Sequence, residues 1–68
     1  MKVRYDKLWK LALDNKMNKH GLARAAEVST NTIAKLGKSE LVSMEVMLKL
    51  CKVFHCDIGD LMEVIEED

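Results

Sequence analysis

The 68-residue chain has no proline, three glycines, two cysteines and one copy each of tryptophan, tyrosine and phenylalanine. So few turn residues disfavour a fold of many short strands and tight turns. Two cysteines do not make a disulfide framework. No apolar run exceeds a few residues, so no segment is expected to cross a membrane. The basic start, Lys2 and Arg4, is not followed by the apolar stretch of a secretory leader, and a reducing, cytoplasmic setting is expected. What is present reads as globular: 49% of residues are apolar and 32% charged. Residues 1–68 are expected to form one small domain. A chain of this length buries only about 60% of its unfolded surface, which argues against a deep cofactor cavity or a multi-part active site.

The net charge is zero, but the charges are sorted along the chain. Residues 1–38 hold nine Lys or Arg against three acids, and residues 39–68 hold two against eight. One half is suited to a polyanion and the other is not. Solvated helix faces with an acidic tail at 66–68 would look the same by charge alone.

Hydrophobic spacing predicts five helices. Leu8, Leu11 and Ala12 recur at helical spacing in the first, with Trp9 and Leu13 widening the stripe until Asp14, Asn15 and Lys16 end it. Lys2-Val3-Arg4-Tyr5 alternates before it as a short extended arm. Asn18 is placed to cap a second helix over about 19–26, slimmed by Ala23 and Ala25. Ser29 caps a third over about 30–36, with Val28 and Ile33 as a hydrophobic staple and Gly37 as a left-handed C-terminal residue. Ser43, with Val42 and Met47, opens a fourth over about 44–54. Asp57, with Cys56 and Leu61, opens a fifth over about 58–65, with Asp60 near its positive end. The acids 66–68 would oppose the dipole of that last helix and fray it.

The segment 19–36 has the form of a helix-turn-helix: a slim short helix, a turn of about three residues, and a second helix starting at a serine cap. The second helix carries small polar groups and a lysine on the side away from Ile33 and Leu36, as base-edge reading in a major groove requires. Lys16, Lys19 and Lys38 flank it as candidate phosphate contacts. The free N–H groups behind Ser29 add positive dipole character there.

The run Leu22-Ala23-x-x-Ala26-x-Val28-Ser29-x-x-Thr32-Ile33-x-x-Leu36 resembles the helix-turn-helix of the Cro/C1-type (XRE-like) transcriptional regulators. Leu8, Leu11 and Met17 match apolar positions of that family's first helix, and Val42 to Met62 match its fourth and fifth, so the resemblance covers roughly residues 5–65. It implies an all-α, five-helix, lambda-repressor-like domain that binds double-stranded DNA and regulates transcription, as a repressor at an operator. It implies base contacts for Thr30, Asn31 and Lys35, and phosphate contacts for Lys19, Thr32 and Lys38. Asn31 suits adenine and Lys35 suits guanine. Two positions depart from the family pattern. Glu27 stands at the turn position that usually holds glycine, where a positive φ would cost on the order of 1 kcal/mol. Gly21 stands where a stronger helix former is usual.

Other residues are read as structural. Leu22, Ala26, Val28, Ile33 and Leu36 are core, and Met17, Met44, Met47 and Met62 are core filler. Trp9 is read as packed between the first and fifth helices rather than as a base-stacking residue. Lys49 and Lys52 are read as a solvated face. Arg24 stays open between solvent, a phosphate contact and an intramolecular ion pair. Cys51 and Cys56 lack the paired CxxC of a metal site, and His20 is distant from His55, so both thiols are read as small buried hydrophobes. Neither the histidines nor the serines form a triad, so catalysis, cofactor and metal are not expected.

One recognition helix reads few base pairs, so a homodimer on a pseudo-palindrome is expected, without a small-molecule effector. Its interface is either the apolar remainder of the fifth helix (Leu61, Val64, Ile65) or the Lys2–Tyr5 arm paired with its twin. The alternative is a protein-interaction module of antitoxin or phage-regulator type on the same fold. An exposed apolar patch on the third helix would favour that alternative.

Overall fold

The structure, a computed structural model, describes residues 2–66. Along the chain it has β1 (Lys2–Arg4), α1 (Asp6–Asp14), α2 (Lys19–Ala26), α3 (Thr30–Gly37), α4 (Met44–Phe54), a 3-10 turn (Ile58–Asp60) and β2 (Glu63–Ile65). Four helices stand where the periodicity puts them. Their N-terminal caps also match: Asn18 Oδ1 accepts from Gly21 N at 2.7 Å, Ser29 Oγ from Thr32 N at 3.1 Å, and Ser43 Oγ from Val46 N at 3.2 Å. Each cap satisfies one of the first-turn N–H groups that have no partner inside the helix. The Asn18 carboxamide also accounts for Gly21, since a Cβ there would lie 3.2 Å from Oδ1.

The C-termini share one device. An N–H two or three residues past each helix reaches back to a carbonyl five positions earlier: Met17 to Ala12 (2.8 Å), Val28 to Ala23 (3.0 Å), Glu40 to Lys35 (2.9 Å) and Cys56 to Cys51 (3.1 Å). Such a Schellman closure needs a left-handed residue just before that donor. Here those residues are Lys16, Glu27, Ser39 and His55, with φ of 57°, 57°, 58° and 52°. None is glycine, and no glycine has a positive φ. Gly37 is therefore not the left-handed residue of α3; it is the last helical residue, and Ser39 turns the chain. Met17, Val28 and Cys56 then pack against the core. Glu40 is held differently, because the buried Tyr5 hydroxyl donates to its carbonyl at 2.7 Å.

The fifth helix is absent. Asp57 and Asp60 do form a capping box: the Asp57 side chain accepts from the Asp60 N–H, and Asp60 Oδ2 accepts from Asp57 N at 3.0 Å, while Asp57 Oδ1 also accepts from Ile58 N at 2.8 Å. It opens only the 3-10 turn. The Leu61 carbonyl then accepts from Leu8 N at 3.1 Å, and Lys7 Nζ donates to the Gly59 carbonyl at 3.1 Å, so the segment caps α1 instead of propagating a helix. Residues 63–65 pair antiparallel with the N-terminal arm in the register Lys2↔Ile65, Val3↔Val64, Arg4↔Glu63. Arg4 grips both carboxylate oxygens of Glu63, at 3.2 and 3.1 Å. An eight-residue helix ending in acids is marginal in water, and pairing with a distant strand outcompetes it. Of the acidic tail, Glu67 and Asp68 lie outside the described residues.

The largest fully buried side chains are five leucines: Leu8, Leu22, Leu36 and Leu50, one from each helix, and Leu61 from the segment before β2. Ala23 and Ala26 are buried on α2 and let its neighbours approach closely. Two expected core residues are exposed. Leu13 is 76% exposed because α1 ends one residue later, and Met44 is 60% exposed on the outer side of α4. Trp9 does pack against the core, half-buried, but with no fifth helix beside it; the Lys19 ammonium lies 5.8 Å from its ring centre instead. Lys49 is not simply solvated: its ammonium donates to the Glu27 carbonyl at 3.4 Å and lies 3.8 Å from Glu45.

Candidate nucleic-acid interface

The candidate interface is built on α3 and the start of α2. Ile33 and Leu36 turn one side of α3 into the core and thereby fix its rotation. Thr30, Asn31, Ala34 and Lys35 are left exposed on the outward side. Ser29 and Thr32 hold each other, with hydroxyls 3.0 Å apart and the Thr32 N–H bonded to Ser29 Oγ. Thr32 is accordingly half-buried and locally satisfied. The N–H groups of Thr30 and Asn31 have no acceptor among the described residues, and the same holds for Lys19 and His20 at the start of α2. Two helix N-termini therefore offer free donors and positive dipole character.

A shallow concavity between α2 and α3 is lined by His20, Ala23, Arg24, Glu27, Val28 and Thr30. A second continues along α3 past Lys19, His20, Thr30, Ile33 and Ala34. Thr30, Lys19 and Arg24 thus border one open groove system. His20, unassigned by sequence, borders both parts of it. Its signal was available: His20 and Arg24 are four apart on α2 and share a face. Arg24 is exposed and makes no ion pair among the described residues, which removes one of its three readings.

The flanking lysines are less concentrated. Lys16 and Lys38 are exposed at the C-terminal ends of α1 and α3, where a cation complements the helix dipole. The Lys19 ammonium is steered by the Trp9 ring, and a Cβ built on Gly37 would come within 3.6 Å of it. Lys19 therefore bridges α1, α2 and the end of α3 while remaining exposed. Glu27 takes the left-handed conformation, φ 57° and ψ 45°, so the turn keeps its geometry without glycine and sets a carboxylate at the groove's edge.

Cys51 and Cys56 are partly rather than fully buried, and burial raises both thiol pKa values. Among the described residues no group of three or more His, Cys, Asp or Glu is placed to hold a metal, and no helix is long and apolar enough to cross a membrane.

Comparison with known proteins bears on this geometry. The sequence profile of the Cro/C1-type HTH DNA-binding domain matches residues 7–67. The crystal structure of the transcriptional regulator VanUg is similar to this chain, with a TM-score of 0.89 and 48% identity over 97% of this chain and 88% of that one. No curated protein sequence matches.

Proposed function

This chain belongs to the Cro/C1-type helix-turn-helix DNA-binding domain family, and from that premise we propose that it reads a specific operator in double-stranded DNA and represses transcription by occupying it. The observation that carries the reading is the outward side of α3: Thr30, Asn31 and Lys35 stand exposed around free helix N–H groups while Ile33 and Leu36 lock the helix from behind. In this reading Thr30, Asn31 and Lys35 meet base edges. Asn31 pairs bidentately with adenine, and Lys35 donates to guanine O6 and N7. Lys19 and Lys38, with Lys16 beyond them, meet phosphates, and Ser29 and Thr32 present the α3 terminus to the backbone.

Large exposed apolar side chains are the mark of a protein-binding face. Among the described residues they are Leu13, Leu41, Met44, Leu48 and Val64, none of them on α3. That favours DNA over a protein partner at this surface. Specificity from so short a helix calls for two copies on a pseudo-palindrome with half-sites about 34 Å apart. No small-molecule effector enters this reading.

Selection from random duplexes at two salt concentrations tests it. A palindromic motif bound more weakly at higher salt is the expected result. On the selected site Asn31→Ala should cost about 1–3 kcal/mol and relax one base position. Binding without a motif, or an Asn31→Ala variant with unchanged specificity, would overturn the assignment.

A further inference from the structure

Three of the five large exposed apolar side chains fall within eight positions: Leu41, Met44 and Leu48, at 76%, 60% and 58% exposure. Met44 and Leu48 are one turn apart on α4, and Lys52 lies one turn further along the same side. The core-facing side of α4 is already supplied by Met47 and Leu50. The outer apolar strip therefore contributes nothing to this chain's own core.

We infer that Leu41, Met44 and Leu48 form a two-fold contact between two copies of this chain, with their α4 helices antiparallel across a dyad near Leu48. The inference rests on the operator-dimer reading above and gives that dimer its surface. The order of charges selects this occupant. Glu45 stands near the start of the strip and Lys52 at its end. Antiparallel pairing brings each Glu45 toward the partner's Lys52, twice over, whereas parallel pairing sets like against like. Both groups are available: Lys52 is exposed with no ion pair among the described residues, and Glu45 is 80% exposed with only Lys49 at 3.8 Å.

The surfaces expected from sequence are partly engaged, although Val64 on β2 stays 59% exposed. Leu61 is fully buried, and the Lys2–Arg4 arm is paired with β2 of its own chain. Two such short strips bury well under the roughly 1,200 Å² of a stable interface, so the free dimer is weak and is reinforced when both copies sit on DNA.

The test uses the full chain, by sedimentation over a concentration series and by titration onto duplexes with one or two half-sites. Leu48→Lys, at an exposed position, should keep the helical circular dichroism. It should lose self-association, bind the two-half-site duplex at least tenfold more weakly, and bind the single half-site as before. Glu45→Lys and Lys52→Glu should each weaken the dimer, and the double exchange should restore it. Self-association and two-site binding unchanged in Leu48→Lys would overturn the inference. Loss of self-association in Leu48→Lys, with no duplex bound by either form, would support this interface and overturn the DNA reading instead.

Discussion

Replacing Glu27 with glycine should stabilise the protein. Glu27 sits at φ 57° and ψ 45°, in the turn that sets the angle between α2 and α3. A side chain in that conformation costs roughly 1–2 kcal/mol through contact of Cβ with the following carbonyl. Glycine removes the contact but brings greater freedom to the unfolded chain, which returns roughly 0.5–1 kcal/mol. The net expectation is a gain of about 0.5–1 kcal/mol. For a domain of this size that raises Tm by about 2–8 °C. The turn's other interactions survive the change. The Glu27 N–H bonds Arg24 O, the Val28 N–H bonds Ala23 O, and the Glu27 carbonyl accepts from Lys49, all through the backbone of the turn. The Glu27 carboxylate makes no ion pair among the described residues, so none is lost. Thermal unfolding of the wild type, Glu27→Gly and Glu27→Ala separates conformation from charge. Alanine removes the carboxylate but keeps Cβ, so its Tm should stay near that of wild type. A Glu27→Gly variant no more stable than wild type, or an alanine variant that matches it, would refute the strain argument.

Three other outcomes are expected. Tyr5→Phe removes the 2.7 Å bond to the Glu40 carbonyl at a site only 2% exposed, and should cost about 1 kcal/mol, read as a lower Tm. Burial also raises the Tyr5 phenol above its ordinary 10.0. The stability from the neutral phenol is therefore fully present below about pH 10 and is lost as pH rises through the higher folded value, a loss that Tyr5→Phe should abolish; because Tyr5 is the single tyrosine, ultraviolet titration of phenolate reads it alone. Lys19→Ala should weaken all duplexes about equally and reduce the salt slope by about one unit, while loss of the contact with Trp9 lowers Tm slightly; a change in base preference instead would displace Lys19 from the backbone. Burial raises the thiol pKa values of Cys51 and Cys56, and the nearby Asp57 and Asp60 carboxylates raise them further, so both should label more slowly than an unstructured thiol at neutral pH and catch up in denaturant; fast labelling of the folded protein would contradict their packing.

The sorted charges acquire a structural meaning in the fold. The acidic half supplies α4, which lies behind α2, and β2, which pairs with the N-terminal arm. Arg4 is thereby drawn into a pair with Glu63 and Asp6 and away from any polyanion. The basic residues left at α2 and α3 are the ones the proposed interface uses. Such exposed pairs on the sheet add at most about 1 kcal/mol each, so their larger effect is to allocate charge between faces.

The local code of this chain determined most of its helices and the core of the helix-turn-helix. Asn18, Ser29 and Ser43 cap where their side-chain oxygens reach first-turn N–H groups, and that chemistry spans only three residues. The rotation of α3 follows from Ile33 and Leu36 alone, and with it the exposure of Thr30, Asn31 and Lys35. Tertiary structure decided the rest. Residues 63–65 carry a helical-looking spacing but become a strand because their partner lies some sixty positions away, and no local window contains both. Ser39 rather than Gly37 turns left-handed because the end of α3 is set by Tyr5 holding Glu40, a contact across 35 positions. His20 joins the groove, and Met44 and Leu48 face solvent, because the packing partners of α2 and α4 select which face each helix buries. Short-range hydrogen bonding is written in neighbouring residues; which surfaces meet is settled only when the whole chain competes for one small core.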